Sequence, residues 1–333
     1  MPSVTSRQLV QAILDAIQES GHSGILVSGI RAHPRKFAIT TPDGEQVLLW
    51  VYAWTLTPGG RPTLPDEYRI QMTTVQSPLE TNPIGPTVLI GYEPNLRMFA
   101  GFDLSRHRTF TTGSSSVQIN INTLHQALQD GLAFDRKTNQ EIAVGIRPDQ
   151  MMGYVYTAQH LHRFGRHAAT FDLLKKASSL EEIPEADITH LSQNRQRIVQ
   201  TVRRLSRRSN FRQQVLGAYG NRCAVTRLQL RLVDAAHILP VGAPGSIDEV
   251  RNGLALSPTY HRAYDNGLIY LDEKNRMRIN ADKQHALQEL NLIGGLADFK
   301  ASLGPIHLPP DPHQRPHSQF IRKANRHRQI IVA

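Results

Sequence analysis

Residues 5–19 repeat their apolar side chains at helical intervals. Leu9, Val10, Ile13, Leu14 and Ile17 fall on one face, and Thr5 stands where an N-cap is needed. Downstream the period shortens to that of strands. In "RKFAITTPDGEQVLLWVYAW" (35–54) two strand-like runs flank Pro42-Asp43-Gly44, which predicts a hairpin. Further strands are expected at 67–75, 86–93, 97–104 and 116–122, all short and separated by glycine and proline. A helix is expected to open at Pro148 in "PDQMMGYVYTAQHLHRFG", with proline in its first turn.

The pattern changes after this helix. "KASSLEEIPEADITH" (176–190) is polar, acidic and interrupted by proline, as a linker or short connector would be. "RQRIVQTVRRLSRRSNFRQQVLGAYG" (195–220) returns to helical spacing through Ile198, Val202, Leu205, Val215 and Leu216, with Gly220 as its stop. "RLVDAAHI" reads as a strand ending near His237, Asn252-Gly253 as a turn, and "PTYHRAYDNG" as a short helix opened by Pro258 and closed by Asn266-Gly267. The segment from Pro305 is loop-like. These elements predict an α+β chain. Its expected parts are a β-rich N-terminal domain over 1–170, a linker over 171–194, a second domain over 195–300 that begins with a basic helix, and a tail over 301–333.

Composition narrows the class. The 333 residues are 40% hydrophobic, enough for real cores, and contain no apolar run of the roughly 18–20 residues that a membrane span requires. The first residues lack a basic stretch followed by a cleavage site, so a soluble cytoplasmic protein is expected. One cysteine, Cys223, excludes an intrachain disulfide and a multi-cysteine zinc site, and its strand-like flanks suit a buried thiol. The formal charge of +10 is unevenly spread. Residues 1–150 carry 12 Lys/Arg against 13 Asp/Glu, whereas 151–333 carry 26 against 15. Ten arginines and no acidic residue lie between Arg195 and Arg231. Such a bias points to a polyanionic partner.

One constellation carries chemistry. On the short helix, His261 and Asp265 stand at i and i+4 and share a face, where an imidazole and a carboxylate can hold one divalent cation. His237 arrives independently from the strand. Fifteen positions separate His237 from Asn252, nine more lead to His261, and four more to Asp265. Strand-His, loop-Asn, helix-His in this order, with the flanks "FRQQVLGAYGNRCAVT", "DAAHILP" and "NGLALSPTYHRAYDNGLI", resembles the HNH or ββα-metal nucleases, and most closely the HNH domains of bacterial restriction endonucleases. The resemblance covers residues 205–280. It implies a ββα-metal fold in which His237 is the general base for attack of water on a phosphodiester, Asn252 ties the loop across the hairpin, and His261 and Asp265 are metal ligands. It also implies Mg²⁺ as the ion, although Mn²⁺, Co²⁺, Ni²⁺ or Zn²⁺ also suit such donors. Many members carry an acid or histidine just before the general base. Here that residue is Ala236, and Asp234, two residues earlier on the same strand face, is a candidate replacement ligand.

Singly, a strand-end histidine, a turn asparagine and a helix-terminal aspartate each occur for structural reasons alone. Their joint spacing and flanks favour the nuclease. Arg203, Arg204, Arg207, Arg208 and Arg212 are the candidate phosphate contacts, which give affinity without sequence choice. Selection then falls to the near-neutral N-terminal domain, where "RAHPRK" (31–36) and "SRHR" (105–108) are either base-reading loops or ordinary surface charge. Trp50, Tyr52 and Trp54 share a strand face and read as a buried sheet surface, with an aromatic wall for a flipped base as the alternative. His160, His162 and His167 lack a partner set and read as structural. The expected function is a site-specific, restriction-type endonuclease acting on double-stranded DNA as a homodimer and leaving 3′-hydroxyl and 5′-phosphate ends. The alternatives are a nuclease that requires modified DNA, and a DNA-binding protein whose HNH fold has lost turnover.

Overall fold

The computed structural model describes residues 4–111 and 115–330, which form two compact units dividing between Ser209 and Asn210. In the first unit, helix α1 (Ser6–Glu19) begins with a reciprocal cap. The Thr5 hydroxyl accepts from the Gln8 amide, and the Gln8 side chain accepts from the Thr5 N–H at 2.9 Å. The strands and helices that follow are β1 (Ser23–Leu26), β2 (Arg35–Thr40), β3 (Gln46–Thr55), β4 (Thr57–Pro58), β5 (Glu67–Gln71), β6 (Thr87–Glu93), β7 (Met98–Phe102), α2 (Leu104–His107), β8 (Ser116–Asn120), α3 (Ile121–Asp130), β9 (Leu132–Arg136), β10 (Ile142–Ile146), α4 (Met151–Phe164), α5 (Ala168–Ser178), α6 (Glu185–Thr189) and α7 (Gln193–Ala218).

Seven strands form one sheet in the order β1-β2-β3-β6-β7-β10-β9, antiparallel except for the β3–β6 pair. A second sheet, β4-β5-β8, has three strands. Alternate residues of the large sheet enter two different cores. Phe37, Ile39, Leu49, Val51, Val88 and Ile90 pack with α1, α4 and α5, while Tyr52, Leu89, Ala100 and Phe102 pack with Ile70, Val117 and Ile119 of the small sheet. Covered on both faces, β6 and β7 are apolar almost throughout rather than alternating. Gly101 is dictated by close approach, because a side chain there would run into the Tyr154 ring of α4.

The structure corrects two expectations for this unit. The segment 171–194 is no free linker: Leu173, Leu174, Ala177 and Ile183 are buried in the N-terminal core. Their helical spacing was outweighed in the sequence by the polar residues between them. The two basic loops are also largely committed to the fold. Arg35 is buried and donates to the carbonyls of Ile30 and Ala53, Arg106 donates to Asn139, Arg108 to Leu79, and His107 pairs with Glu141 at 2.6 Å. Trp54 is stacked on His33 with ring centres 4.6 Å apart, and Tyr52 is core, so this face is occupied by the protein's own rings. His162 is buried between the Tyr154 hydroxyl and the Ile142 carbonyl, a structural histidine.

The second unit takes residues 210–218 of α7 and adds β11 (Asp234–His237), β12 (Gly253–Leu256), α8 (Pro258–Asp265), β13 (Ile269–Leu271), β14 (Arg276–Ile279), α9 (Ala281–Glu289), α10 (Leu296–Ala301), β15 (Gly304–Pro305) and α11 (Ser318–His327). Strands β11 and β12 form a two-stranded antiparallel hairpin, and β13-β14-β15 a three-stranded sheet. Phe211, Val215, Cys223, Ile238, Leu254, Leu256 and Tyr264 build the core. The supposed tail belongs to it: Phe320, Ile321 and Ala324 of α11 are buried there. The prolines of 305–316 conceal this helix in the sequence, because they mark the loop before it and its apolar stripe is only three residues wide. Among the described residues no helix is long and apolar enough to cross a membrane.

Truncating Phe320 to Ala is expected to lower the stability of the second unit by about 3–4 kcal/mol, whereas truncating exposed Arg326 should change it by less than about 0.5 kcal/mol. Urea unfolding of the two variants beside the parent measures the difference.

Candidate active site

The site is built on the β11–β12 hairpin and the helix that follows it. Asp234 pairs with Leu256 and His237 with Gly253 across the hairpin, so the strand carries both functional side chains over a span of four residues. Ser257 and Pro258 turn the chain from β12 directly into α8. On that helix Tyr260, Ala263 and Tyr264 face the core, which leaves His261 and Asp265 on the opposite stripe. Gly267, at φ +70°, ends the turn beyond the helix.

The strand end is fixed by Asn252. This side chain is completely buried and bonds across the long loop that joins the two strands. Its Oδ1 accepts from the Leu239 N–H at 2.8 Å, and its Nδ2 donates to the carbonyls of Ile247 at 3.0 Å and Leu239 at 3.3 Å and to the Ser246 hydroxyl at 3.3 Å. The Asn252 carbonyl also accepts from the Ile238 N–H at 2.8 Å. Only glycine fits next, because any side chain at Gly253 would overlap Val215 of α7. The Ile238 carbonyl is held from the other side by the Tyr264 hydroxyl at 3.3 Å and by Arg328 at 2.9 Å. The backbone after His237 thus has bonds from three separate segments.

His237 itself is clamped. Its ring stacks on Phe211 with centroids 3.8 Å apart and planes 11° from parallel, and its Nε2 lies 3.0 Å from Asp248 Oδ1. Burial pushes the imidazole below its ordinary titration range, against the opposing pull of Asp248 and then Asp265, which favours the neutral ring.

His261 stands between two carboxylates. Asp265 Oδ2 lies 3.3 Å from its Nε2, and Asp234 Oδ2 lies 3.9 Å from its Nδ1. The neighbouring His261 imidazole, and then the Arg212 cation, hold the Asp234 carboxyl below the usual carboxylate range despite its burial. Because the two acids approach opposite ring nitrogens, a cation on either side meets one imidazole nitrogen and one carboxylate, and not all three groups. In keeping with this, among the described residues no three or more His, Cys, Asp or Glu side chains form a ready-made cluster. A histidine–carboxylate pair with open positions still fits a divalent ion that keeps several waters and takes phosphate oxygens as ligands.

The sequence-derived residues His237, Asn252, His261, Asp265 and Asp234 therefore meet in one place. Of the candidate phosphate contacts, Arg204, Arg207 and Arg208 are exposed on α7 and Arg203 is half-buried. Arg212 is directed into the site, 3.7 Å from Asp234 and donating to the Val233 carbonyl. The sequence pattern does not single out Asp248, Phe211, Tyr264 or Arg328. Phe211 was discoverable, since it extends the apolar stripe of α7 through Val215, but nothing in "GSIDEV" distinguishes Asp248 from Glu249.

Two family models match the chain. One described as HNH endonuclease covers residues 223–272, and one described as Methylase-associated X1 covers residues 47–155. No curated protein matches. A solved structure titled "Modification dependent TagI restriction endonuclease" aligns over 94% of this chain and 90% of that chain, with 14% identity and a TM-score of 0.30. The C-terminal unit contains an HNH endonuclease domain, and the chain is accordingly a nuclease. The HNH class acts on DNA with the help of a divalent metal ion.

Replacing Asn252 by Ala leaves the buried Leu239 N–H without a partner and removes the donor to the Ile247 carbonyl, and is expected to cost about 2–3 kcal/mol. Asn252→Asp keeps the acceptor for Leu239 and loses the donors, so an intermediate loss is expected. Denaturant midpoints of the two variants give the order.

Proposed function

We propose that this chain is a restriction-type, site-specific DNA endonuclease in which His237 is the general base. The observation that carries the reading is the meeting of a clamped, neutral imidazole with a histidine–carboxylate pair at the mouth of one hairpin. His237 takes a proton from water, the water oxygen bonds to the phosphorus, and the bond to the 3′ oxygen breaks; that oxygen takes a proton from solvent water, which leaves 3′-hydroxyl and 5′-phosphate ends. His261 with Asp265 or Asp234 would hold the divalent ion, with Mg²⁺ as the physiological choice. The bound ion supplies stabilisation of charge on the phosphate and leaving oxygens. Asp234 stands in for the acid that Ala236 does not provide.

The exposed arginines of α7 suit the phosphate backbone, and the N-terminal unit is the part left to choose the site. A match to a methylase-associated family supports a pairing of cleavage with protective methylation in the cytoplasm. One HNH site cuts one strand, so the working unit for a double-strand break is a homodimer on a two-fold symmetric site.

Methylated and unmethylated plasmid, each with Mg²⁺ or with EDTA, test the reading. Discrete fragments are expected from unmethylated plasmid with Mg²⁺ alone, and His237→Ala should cut at least about 10²-fold more slowly. Cutting confined to methylated plasmid would replace the selection proposed here with dependence on modification. Intact plasmid in every lane, from a protein that still shifts DNA, would leave a binding protein without turnover. Because the base must be unprotonated and its titration is shifted downward, the acid limb of kcat/KM against pH is expected below the ordinary histidine value of about 6.5. Activity should therefore persist at pH 7 and fall on further acidification. With EDTA present, the double change Arg204→Ala, Arg208→Ala is expected to lower the slope of log K against log salt by about 2, which a binding titration at several salt concentrations measures.

A further inference from the structure

The loop between β11 and β12 contributes one side chain to His237 that the nuclease reading does not use. Asp248 places Oδ1 3.0 Å from His237 Nε2. Both groups are largely sheltered, with 16% of the His237 side chain and 24% of the Asp248 side chain exposed. Among the described residues Nδ1 of His237 has no hydrogen-bond partner. Phe211, on which the ring lies nearly flat, holds the plane of the imidazole.

An ionised carboxylate can only accept, and a neutral imidazole has one N–H and one lone pair. A neutral ring bonded to Asp248 through Nε2 must then carry its proton on Nε2 and its lone pair on Nδ1. We propose that Asp248 is the positioning residue of this site: it fixes His237 as the Nε2–H tautomer and so makes Nδ1 the atom that receives the proton of the attacking water. The loop is suited to the task. Asn252 bonds the Ile247 carbonyl, immediately before Asp248, at 3.0 Å, and the same side chain fixes Leu239, two residues after His237. One buried amide thus holds the acid and the base in register. The proposal rests on the nuclease reading for its consequence, and on the geometry alone for the tautomer.

The test combines a spectrum with kinetics on the full-length protein. Long-range ¹H–¹⁵N correlation of the histidine rings at pH 8, with His237→Gln to assign the resonance, reads the tautomer directly. The parent is expected to show His237 protonated at Nε2, and Asp248→Ala to show a mixture. Asp248→Ala should also lower kcat about 10- to 100-fold, a part of the 10²–10⁴ that a positioned base supplies, with KM within about twofold. Asp248→Asn can pair with either tautomer and is expected to fall between. Thermal unfolding of each variant shows whether it is folded, and the Asn variant preserves the side-chain shape should the Ala variant lose the loop.

A parent His237 protonated at Nδ1, or folded Asp248→Ala with the parent's tautomer and kcat, would overturn the proposal. A parent without nuclease activity whose Nε2–H signal is lost in Asp248→Ala would overturn the nuclease reading and uphold the assignment of Asp248.

Discussion

The buried side chain of Asn252 is the point on which the active-site architecture depends. Strands of four residues have too few ladder bonds to hold a hairpin against the entropy of the long loop that joins them. Asn252 replaces the missing ladder with four side-chain bonds spread over Leu239, Ser246 and Ile247. Without them the loop ends would be tied by the Ile238–Asn252 backbone bond and the Ser246–Leu239 bond, and the buried Leu239 N–H would be left unpaired. Gly253 then allows α7 to close over the hairpin, which brings the Phe211 ring to His237. The Asn252 amide thus fixes the strand end, Gly253 admits the helix, and Phe211 with Asp248 sets the imidazole.

Charge at the site is divided between its two histidines. His237 is neutral because it is sheltered, and His261 lies between acids that favour a cation beside it. The two histidines differ in surroundings: His237 is sheltered and faces Asp248, whereas His261 stands between Asp234 and Asp265. Arg212 joins the site to the arginine-rich helix through Asp234. The C-terminal helix has a quieter part, since Arg328 and Tyr264 hold the Ile238 carbonyl behind the catalytic strand.

Much of this was legible in the residues. The intervals between His237, Asn252, His261 and Asp265 reflect the length of a hairpin loop and one helical turn, and such geometry leaves a fixed spacing. Thr5, Pro258 and Gly267 marked helix ends because their backbone chemistry permits little else. What stayed hidden had no local signature. Leu173 and Leu174 make a helix core only because a sheet lies against them, and Phe320 and Ile321 follow a run of prolines that reads as loop. Arg35, Arg106 and Arg108 read equally as base contacts or as surface charge, and only their distant carbonyl partners show that they brace the fold. Asp248 differs from its neighbour Glu249 solely by where the loop aims it.

The central claim is that His237 activates water for hydrolysis of a phosphodiester. Cleavage of DNA in ¹⁸O-labelled water, followed by mass spectrometry of the new ends, tests it most directly. One ¹⁸O on each 5′-phosphate from the parent protein, with no such product from His237→Ala above background, is the predicted result. Unlabelled or 3′-phosphate ends, or equal labelled product from His237→Ala, would contradict it.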